Sequence, residues 1–174
     1  WFNNGGLLKI SAGTINSGTN TNNNIVYLNG GKFVVEGGVL NVAGAIIPNS
    51  GTSSGYFTQY GGTVLVCKVG STSTTRGAFE INSGVPFTWS GGDIIINRAS
   101  SNTTADYINT SSSNSTLGGA LHIGSATTPT GQTIRINSSV PVFNLQINNT
   151  NSPTATLVTN GLTVKNNVAI SGGT

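Results

Sequence analysis

Paired glycines punctuate this chain at a persistent spacing, and each pair borders a short run in which apolar and polar residues alternate. The pairs are Gly5-Gly6, Gly30-Gly31, Gly37-Gly38, Gly61-Gly62, Gly91-Gly92, Gly118-Gly119 and Gly172-Gly173. The larger steps, from Gly5 to Gly30, Gly61, Gly91 and Gly118, are 25, 31, 30 and 27 residues. Imperfect repeats of that size mark architectures in which each unit buries its apolar face only by stacking on its neighbours.

Between the glycines the period is two. Leu8 and Ile10 flank Lys9, Phe33 and Val35 flank Val34, and Leu65, Cys67 and Val69 alternate with Val66 and Lys68. The same pattern holds for Phe79 and Ile81, Phe87 and Trp89, Ile94 and Ile96, Leu121 and Ile123, Ile134 and Ile136, and Leu162 and Val164. Phe143, Leu145 and Ile147 alternate with Asn144 and Gln146. Such runs predict half-buried strands of four to six residues, with no helical periodicity. Charged residues within the runs, Lys9, Lys32, Lys68, Glu80, Asp93, Arg135 and Lys165, fall in the outward phase and read as solvated strand faces.

Tight turns such as Glu36-Gly37-Gly38 and Ser90-Gly91-Gly92 need the positive φ that glycine tolerates. Longer polar segments, Ser11 to Asn24, Pro48 to Gly55, Gly70 to Arg76, Arg98 to Thr116 and Gly124 to Gly131, read as loops thrown out from a compact repeat. The expected fold is therefore all-β, a right-handed parallel β-helix (β-solenoid) with polar loop excursions, in which Asn, Ser and Thr form ladders at the corners. A propeller would carry a blade-specific aromatic motif, and a sandwich would carry more regular hairpin turns.

Composition narrows the function classes. Apolar residues make up 36% of the chain, enough for a core and too many for a disordered low-complexity segment. A net charge of +3 from 7 basic and 4 acidic residues builds no patch able to neutralise a phosphate backbone, so nucleic acid is excluded as a partner. No apolar run approaches the ~20 residues of a spanning helix, so no transmembrane segment is expected. The one cysteine, Cys67, has no internal disulfide partner and reads as a small buried apolar residue. The opening Trp1-Phe2-Asn3-Asn4 and the closing Ser171-Gly172-Gly173-Thr174 read as open rungs. Residues 1–174 are thus expected to be a single solenoid segment of a longer repetitive chain. On its own such a segment is expected to aggregate, assemble end to end or fray.

Two stretches carry a family resemblance: GGKFVVEGGVLNV from Gly30 to Val42, and VFNLQINNTNSPTATLVTNGLTVKNNVAISGGT from Val142 to Thr174. They resemble the repetitive β-helical regions of large secreted surface adhesins of the Bacteroidota type. The motif positions are Phe143, Asn144, Leu145, Ile147, Asn148 and Asn149, then Leu162, Thr163, Val164, Asn166, Ile170, Ser171 and Gly172. The resemblance implies export to the cell surface by the type IX route and a role in adhesion or gliding motility. It covers about a third of the chain, and its motifs are scaffold positions that designate no active site.

Parallel β-helices also host polysaccharide lyases and hydrolases, which need clustered carboxylates with a base and a cation. Here Glu36, Glu80, Asp93 and Asp106 are scattered. The best catalytic alignment is Lys68, Asp93 and His122 on one outer face, but ordinary exposed strand residues account for all three, and no enzyme is expected. No zinc spacing, calcium repeat, phosphate loop or cofactor motif is present, and His122 has no second His or Cys at ligand spacing. Tyr56, Phe57 and Tyr60 offer a sugar-stacking platform, with core packing as the favoured reading. The sequons at Asn102, Asn109, Asn114 and Asn137 are uninformative in a chain this rich in Asn, Ser and Thr. Thr-rich faces suit ice or polymer surfaces, but these threonines do not recur at one rung position.

The expected function is therefore a structural or adhesive segment of an extracellular cell-surface protein. Alternatives are a polysaccharide-acting β-helix enzyme and a viral tail-fibre-like stalk. The expected partners are neighbouring segments of the same chain or a second copy, and surface glycans. Recognition is assigned to Arg98 to Thr116, expected to be a mobile excursion dispensable for folding, with one short strand at Ala105 to Asn109. Its candidate binding residues are Asn102, Thr103, Asp106, Tyr107, Asn109 and Asn114.

Overall fold

Stacking satisfies the backbone of short strands that have no hairpin partner, and this chain stacks throughout. A computed structural model describes residues 2–18, 25–49, 55–147 and 151–172. Among them the chain forms a parallel β-solenoid with no helix, and none therefore long and apolar enough to cross a membrane.

Five tiers carry three strands each. They are β1 (Phe2–Asn4), β2 (Leu7–Ile10) and β3 (Thr14–Ser17); β4 (Val26–Asn29), β5 (Lys32–Val35) and β6 (Val39–Val42); then β7 (Ile46–Pro48), β8 (Tyr56–Gln59) and β9 (Thr63–Val66). Next come β10 (Phe79–Ile81), β11 (Phe87–Trp89) and β12 (Asp93–Ile96), and β13 (Tyr107–Asn109), β14 (Asn114–Thr116) and β15 (Ala120–Ile123). Two further tiers carry two strands each: β16 (Thr133–Ser138) with β17 (Val142–Ile147), and β18 (Thr154–Leu157) with β19 (Val164–Ile170). The first sheet runs β1-β4-β7-β10-β13-β16-β18, the second β2-β5-β8-β11-β14, and the third β3-β6-β9-β12-β15-β17-β19. The second wall thus ends two tiers before the other two.

Register sets the repeat. In the third sheet Thr14, Val39, Thr63, Asp93, Ala120 and Asn144 pair in succession, at steps of 25, 24, 30, 27 and 24 residues. The glycines just before these positions, Gly13, Gly38, Gly62, Gly92 and Gly119, all have positive φ and form one corner ladder. A Cβ on Gly38 would stand 2.5 Å from the Gly13 carbonyl oxygen, so backbone packs on backbone there. Gly5, Gly30 and Gly55 belong to a different corner, between the first and second sheets. The sequence series through Gly5, Gly30 and Gly61 therefore crossed from one ladder to another, which is why its steps do not match the register.

The core fills with columns of like side chains. Phe33, Phe57 and Phe87 stack at centroid distances of 5.4 and 5.6 Å, and Phe79 stacks on Tyr107 at 5.5 Å. Val26, Ile46, Phe79, Tyr107, Ile136 and Leu157 form a first-sheet column, of which all but Leu157 are buried. Asparagine ladders run outside: Asn29 Nδ2 donates to Asn4 Oδ1 at 2.7 Å, Asn41 Nδ2 to Asn16 Oδ1 at 2.9 Å, and Asn160 Nδ2 to Asn137 Oδ1 at 2.7 Å.

Three expectations need correction. Val64 and Val66, not Leu65, face the core of β9; Cys67 is buried beside Val66 because its φ of 56° rotates it inward after the strand. The burial phase changes between Val142 and Leu145, where the pairing with β19 also slips by one residue: Val142 is buried and Phe143 half-buried, while Leu145 and Ile147 stay in the core. Finally, Ser11 to Asn24 contains β3, and Arg98 to Thr116 contains β13 and β14, so only its first part, up to Asp106, is a loop and the rest is an integral rung. Residues 19–24 and 50–54, together with the motif positions Asn148 and Asn149, lie outside the described residues.

Candidate binding site

Between the third and first sheets the corner changes character along the axis. In the second tier it is three residues, Ala43 to Ala45, whereas the next tiers throw out polar loops at 67–78, 97–106 and 124–132. These loops stack as the strands do. Cys67 N–H donates to the Gly44 carbonyl at 2.7 Å, Ser101 N–H to the Ser71 carbonyl at 2.7 Å, and Ala99 N–H to Gln132 Oε1 at 2.9 Å. Asn97 is a buried link: its Nδ2 donates to the Lys68 carbonyl at 3.3 Å, and its own carbonyl accepts from Thr128 Oγ1 at 2.6 Å.

Asp106 anchors the middle loop. Fully buried, it accepts at Oδ1 from Ser100 N–H (2.7 Å) and Ser100 Oγ (2.8 Å), and at Oδ2 from Arg135 N–H (2.7 Å). The Arg135 guanidinium lies 3.5 Å from the same oxygen and donates to the Asn102 carbonyl at 3.1 Å. Burial pushes the Asp106 carboxyl above the ordinary carboxylate range, against the pull of these donors. Burial also drives the Cys67 thiol up to about 12, which leaves it protonated and inert.

The stacked loops form an open pocket of about 430 Å³, lined by residues 69–72, 98–101, Pro129 and Gln132. That volume lies in the range of small-ligand sites. The sequence reading named the three loops separately. The pocket forms because the loops stack, Ser101 on Ser71 and Ala99 on Gln132, with Arg98 beside them.

The residues expected to bind fall largely elsewhere. Asn102, Asp106, Tyr107 and Asn109 are buried, and only Thr103 and Asn114 are exposed. Asn102 Oδ1 caps Thr104 N–H at 2.8 Å, Asn109 Oδ1 accepts from Ser111 N–H at 3.3 Å, and Asn114 Nδ2 donates to the Ser111 carbonyl at 2.9 Å. Tyr107 is a core aromatic whose phenol burial pushes upward. The buried side chains shape the segment from within, and the part of it that opens onto the pocket is its start, Arg98 to Ser101.

The catalytic alignment separates likewise. His122 Nε2 lies 3.1 Å from Asp93 Oδ1 on the outer face of the third sheet, although the two atoms are not aligned as a hydrogen bond. Lys68 lies beyond the end of β9, whose Thr63 is the residue paired with Asp93, and so stands apart from them. Tyr56 and Tyr60 are exposed while Phe57 is core, so the aromatic trio divides between surface and interior. Among the described residues no group of three or more His, Cys, Asp or Glu could hold a metal ion. No protein-family model, no curated protein and no solved structure matches this chain.

Proposed function

We propose that the chain is a structural and adhesive segment of an extracellular cell-surface protein, a stalk whose rungs are spacer and whose ligand contacts lie on the loops. The observation that supports this most is the continuity of the lattice. Backbone ladders and side-chain columns pass through consecutive tiers, and long polar connections at 67–78, 97–106 and 124–132 stack at one corner. The motif resemblance of the closing run to secreted adhesins supports the same reading, including export by the type IX route and a part in gliding motility.

Neighbouring segments of the same chain, or a second copy, are the natural partners of the last tiers. Leu157, Val168 and Ile170 are 53%, 50% and 57% exposed, yet each continues a buried column: Leu157 follows Ile136, Val168 follows Leu145, and Ile170 follows Ile147. Apolar column ends of this kind favour a further stacked rung.

Antibody raised against the folded chain should label intact cells, and the purified chain should compete with those cells for attachment to their surface. Labelling that appears only after permeabilisation would overturn the surface reading.

A second reading, a polysaccharide-acting enzyme, is favoured only by the Asp93 and His122 pair. Polysaccharide cleavage that His122→Ala abolishes would establish it in place of the stalk.

A further inference from the structure

The chain has three arginines. Two are matched within the protein. Arg76 pairs with Glu80 at 2.9 Å and donates to the Pro48 carbonyl at 2.7 Å, while Arg135 holds Asp106 and the Asn102 carbonyl. The third, Arg98, lines the corner pocket and makes no hydrogen bond or ion pair to any described residue. Its Nε is shut away from solvent and meets no acceptor. A guanidinium desolvated on one side and unpaired by the protein is poorly stabilised, and an incoming acceptor on its remaining N–H groups compensates that loss.

The rest of the lining has the same donor bias. Gln132 uses its Oε1 to accept from Ala99 N–H, which leaves its amide N–H groups as the unused half of the side chain. The Ser71 hydroxyl oxygen accepts a long bond from Ser73 N–H at 3.4 Å, and its own O–H remains available to a ligand. Ser101 is exposed at the rim. No carboxylate stands among the lining residues, and Asp106 behind Ser100 already has its oxygens engaged by Ser100 and Arg135.

We infer that this pocket binds an oxyanion group carried on a small, hydroxyl-rich molecule, with Arg98 as the charged fork and Ser71, Ser101 and Gln132 as neutral donors. A uronic-acid sugar is the class that fits: its carboxylate suits the fork, its hydroxyls suit the neutral donors, and the volume takes one or two rings. The inference does not depend on the stalk reading, since it rests on the pocket alone.

The test is calorimetric titration of the full chain with galacturonate, galactose and inorganic sulfate. Galacturonate is expected to bind saturably in the millimolar range, galactose not measurably, and sulfate more weakly than galacturonate. Arg98→Gln should weaken galacturonate binding about tenfold or more, and Arg98→Lys, which keeps the charge but not the fork, should recover part of the loss. Because Arg98 bonds to no described residue, Arg98→Gln should leave the melting temperature unchanged, which separates lost binding from lost folding. Ser101→Ala at the rim provides a second, milder decrease. Equal affinity for sulfate and galacturonate would assign the site to a free oxyanion and overturn the sugar class. Absence of saturable binding by either, or full binding by Arg98→Gln, would overturn the site itself.

Discussion

The indole of Trp89 occupies the space into which a side chain on Gly119 would grow. Gly119 sits one tier beyond Trp89 at φ 88°, and a Cβ there would collide with the indole Nε1 and with the Gly92 carbonyl. Trp89 is itself fully buried and donates from Nε1 to the Gly91 carbonyl at 3.1 Å, so it has no room to retreat.

Gly119→Ala therefore combines a left-handed backbone with a clash and should cost about 2–5 kcal/mol. Gly131 has nearly the same backbone, φ 74°, but nothing within 4 Å of its would-be Cβ. Gly131→Ala should cost only the backbone part, about 1 kcal/mol. Denaturant titration of the two variants separates corner packing from glycine flexibility; equal losses would contradict the corner ladder.

Leu145 and Phe143 part company in the same way. Leu145→Ala removes a buried column member and should destabilise by about 2–4 kcal/mol, whereas Phe143→Ala on the half-buried outer face should cost about 1 kcal/mol or less. A larger loss for Phe143 would place the irregularity in β17 elsewhere.

Replacing Ser111 to Ser115 by a shorter Gly-Ser link should unfold or strongly destabilise the fifth tier. Ser111 Oγ donates to the Val85 carbonyl at 2.7 Å from a buried position, and the replacement removes most of β14. Ser111→Ala alone should cost about 1–2 kcal/mol, the loss of a buried hydrogen bond. An unchanged melting temperature for the link variant would restore the excursion that the sequence suggested.

Asp106 gives the fold a pH dependence of defined sign. Its folded carboxyl holds a proton more tightly than the unfolded one, so between the ordinary carboxylate value and the raised value the folded chain binds more protons. Stability attributable to this group is accordingly fully present at low pH and declines as pH rises through that window. Asp106→Asn should flatten that segment of the stability profile. It should also destabilise the neutral-pH protein, because one oxygen facing the Ser100 or Arg135 donors becomes an amide.

Cys67 should resist alkylation. With the thiol held up to about 12 inside the stacked loops, iodoacetamide at mildly alkaline pH should react at least about a hundredfold more slowly than with a free cysteine, and at the ordinary rate after denaturation. Rapid labelling of the folded chain would show that the corner loops open.

Much of this architecture was legible in advance because strand alternation is a direct imprint of one buried face. Ile10, Phe33, Ile81, Phe87, Trp89, Ile94 and Leu121 are all buried as their spacing requires. The misreadings arise where the backbone departs from regular geometry. A single positive φ at Cys67 and the irregularity in β17 each shift the phase by one residue without changing the composition of the run. The fifth tier was hidden for a different reason. Its buried positions Asn109 and Ser111, like Asn102 and Asp106 in the loop that leads into it, make their hydrogen bonds inside the molecule, so a polar string that looks solvated is largely built into the fold. The pocket was hidden because it belongs to no single segment: Ser71, Arg98 and Gln132 meet only once the tier spacing is known.

The stacking described above also decides how the molecule answers to force. The strands pair from tier to tier along all three sheets, so the ladder hydrogen bonds lie along the long axis, and a pull between the ends loads the tier junctions in series. They give way one at a time, not together as in a sheared hairpin. Each release frees between 20 residues, the step from Val26 to Ile46, and 33, the step from Ile46 to Phe79. At ~3.4 Å per residue that is about 70–110 Å of slack, many times the ~5 Å height of the tier that opened. Under tension the rod is thus an extensible tether that lengthens in discrete increments and dissipates work at each one.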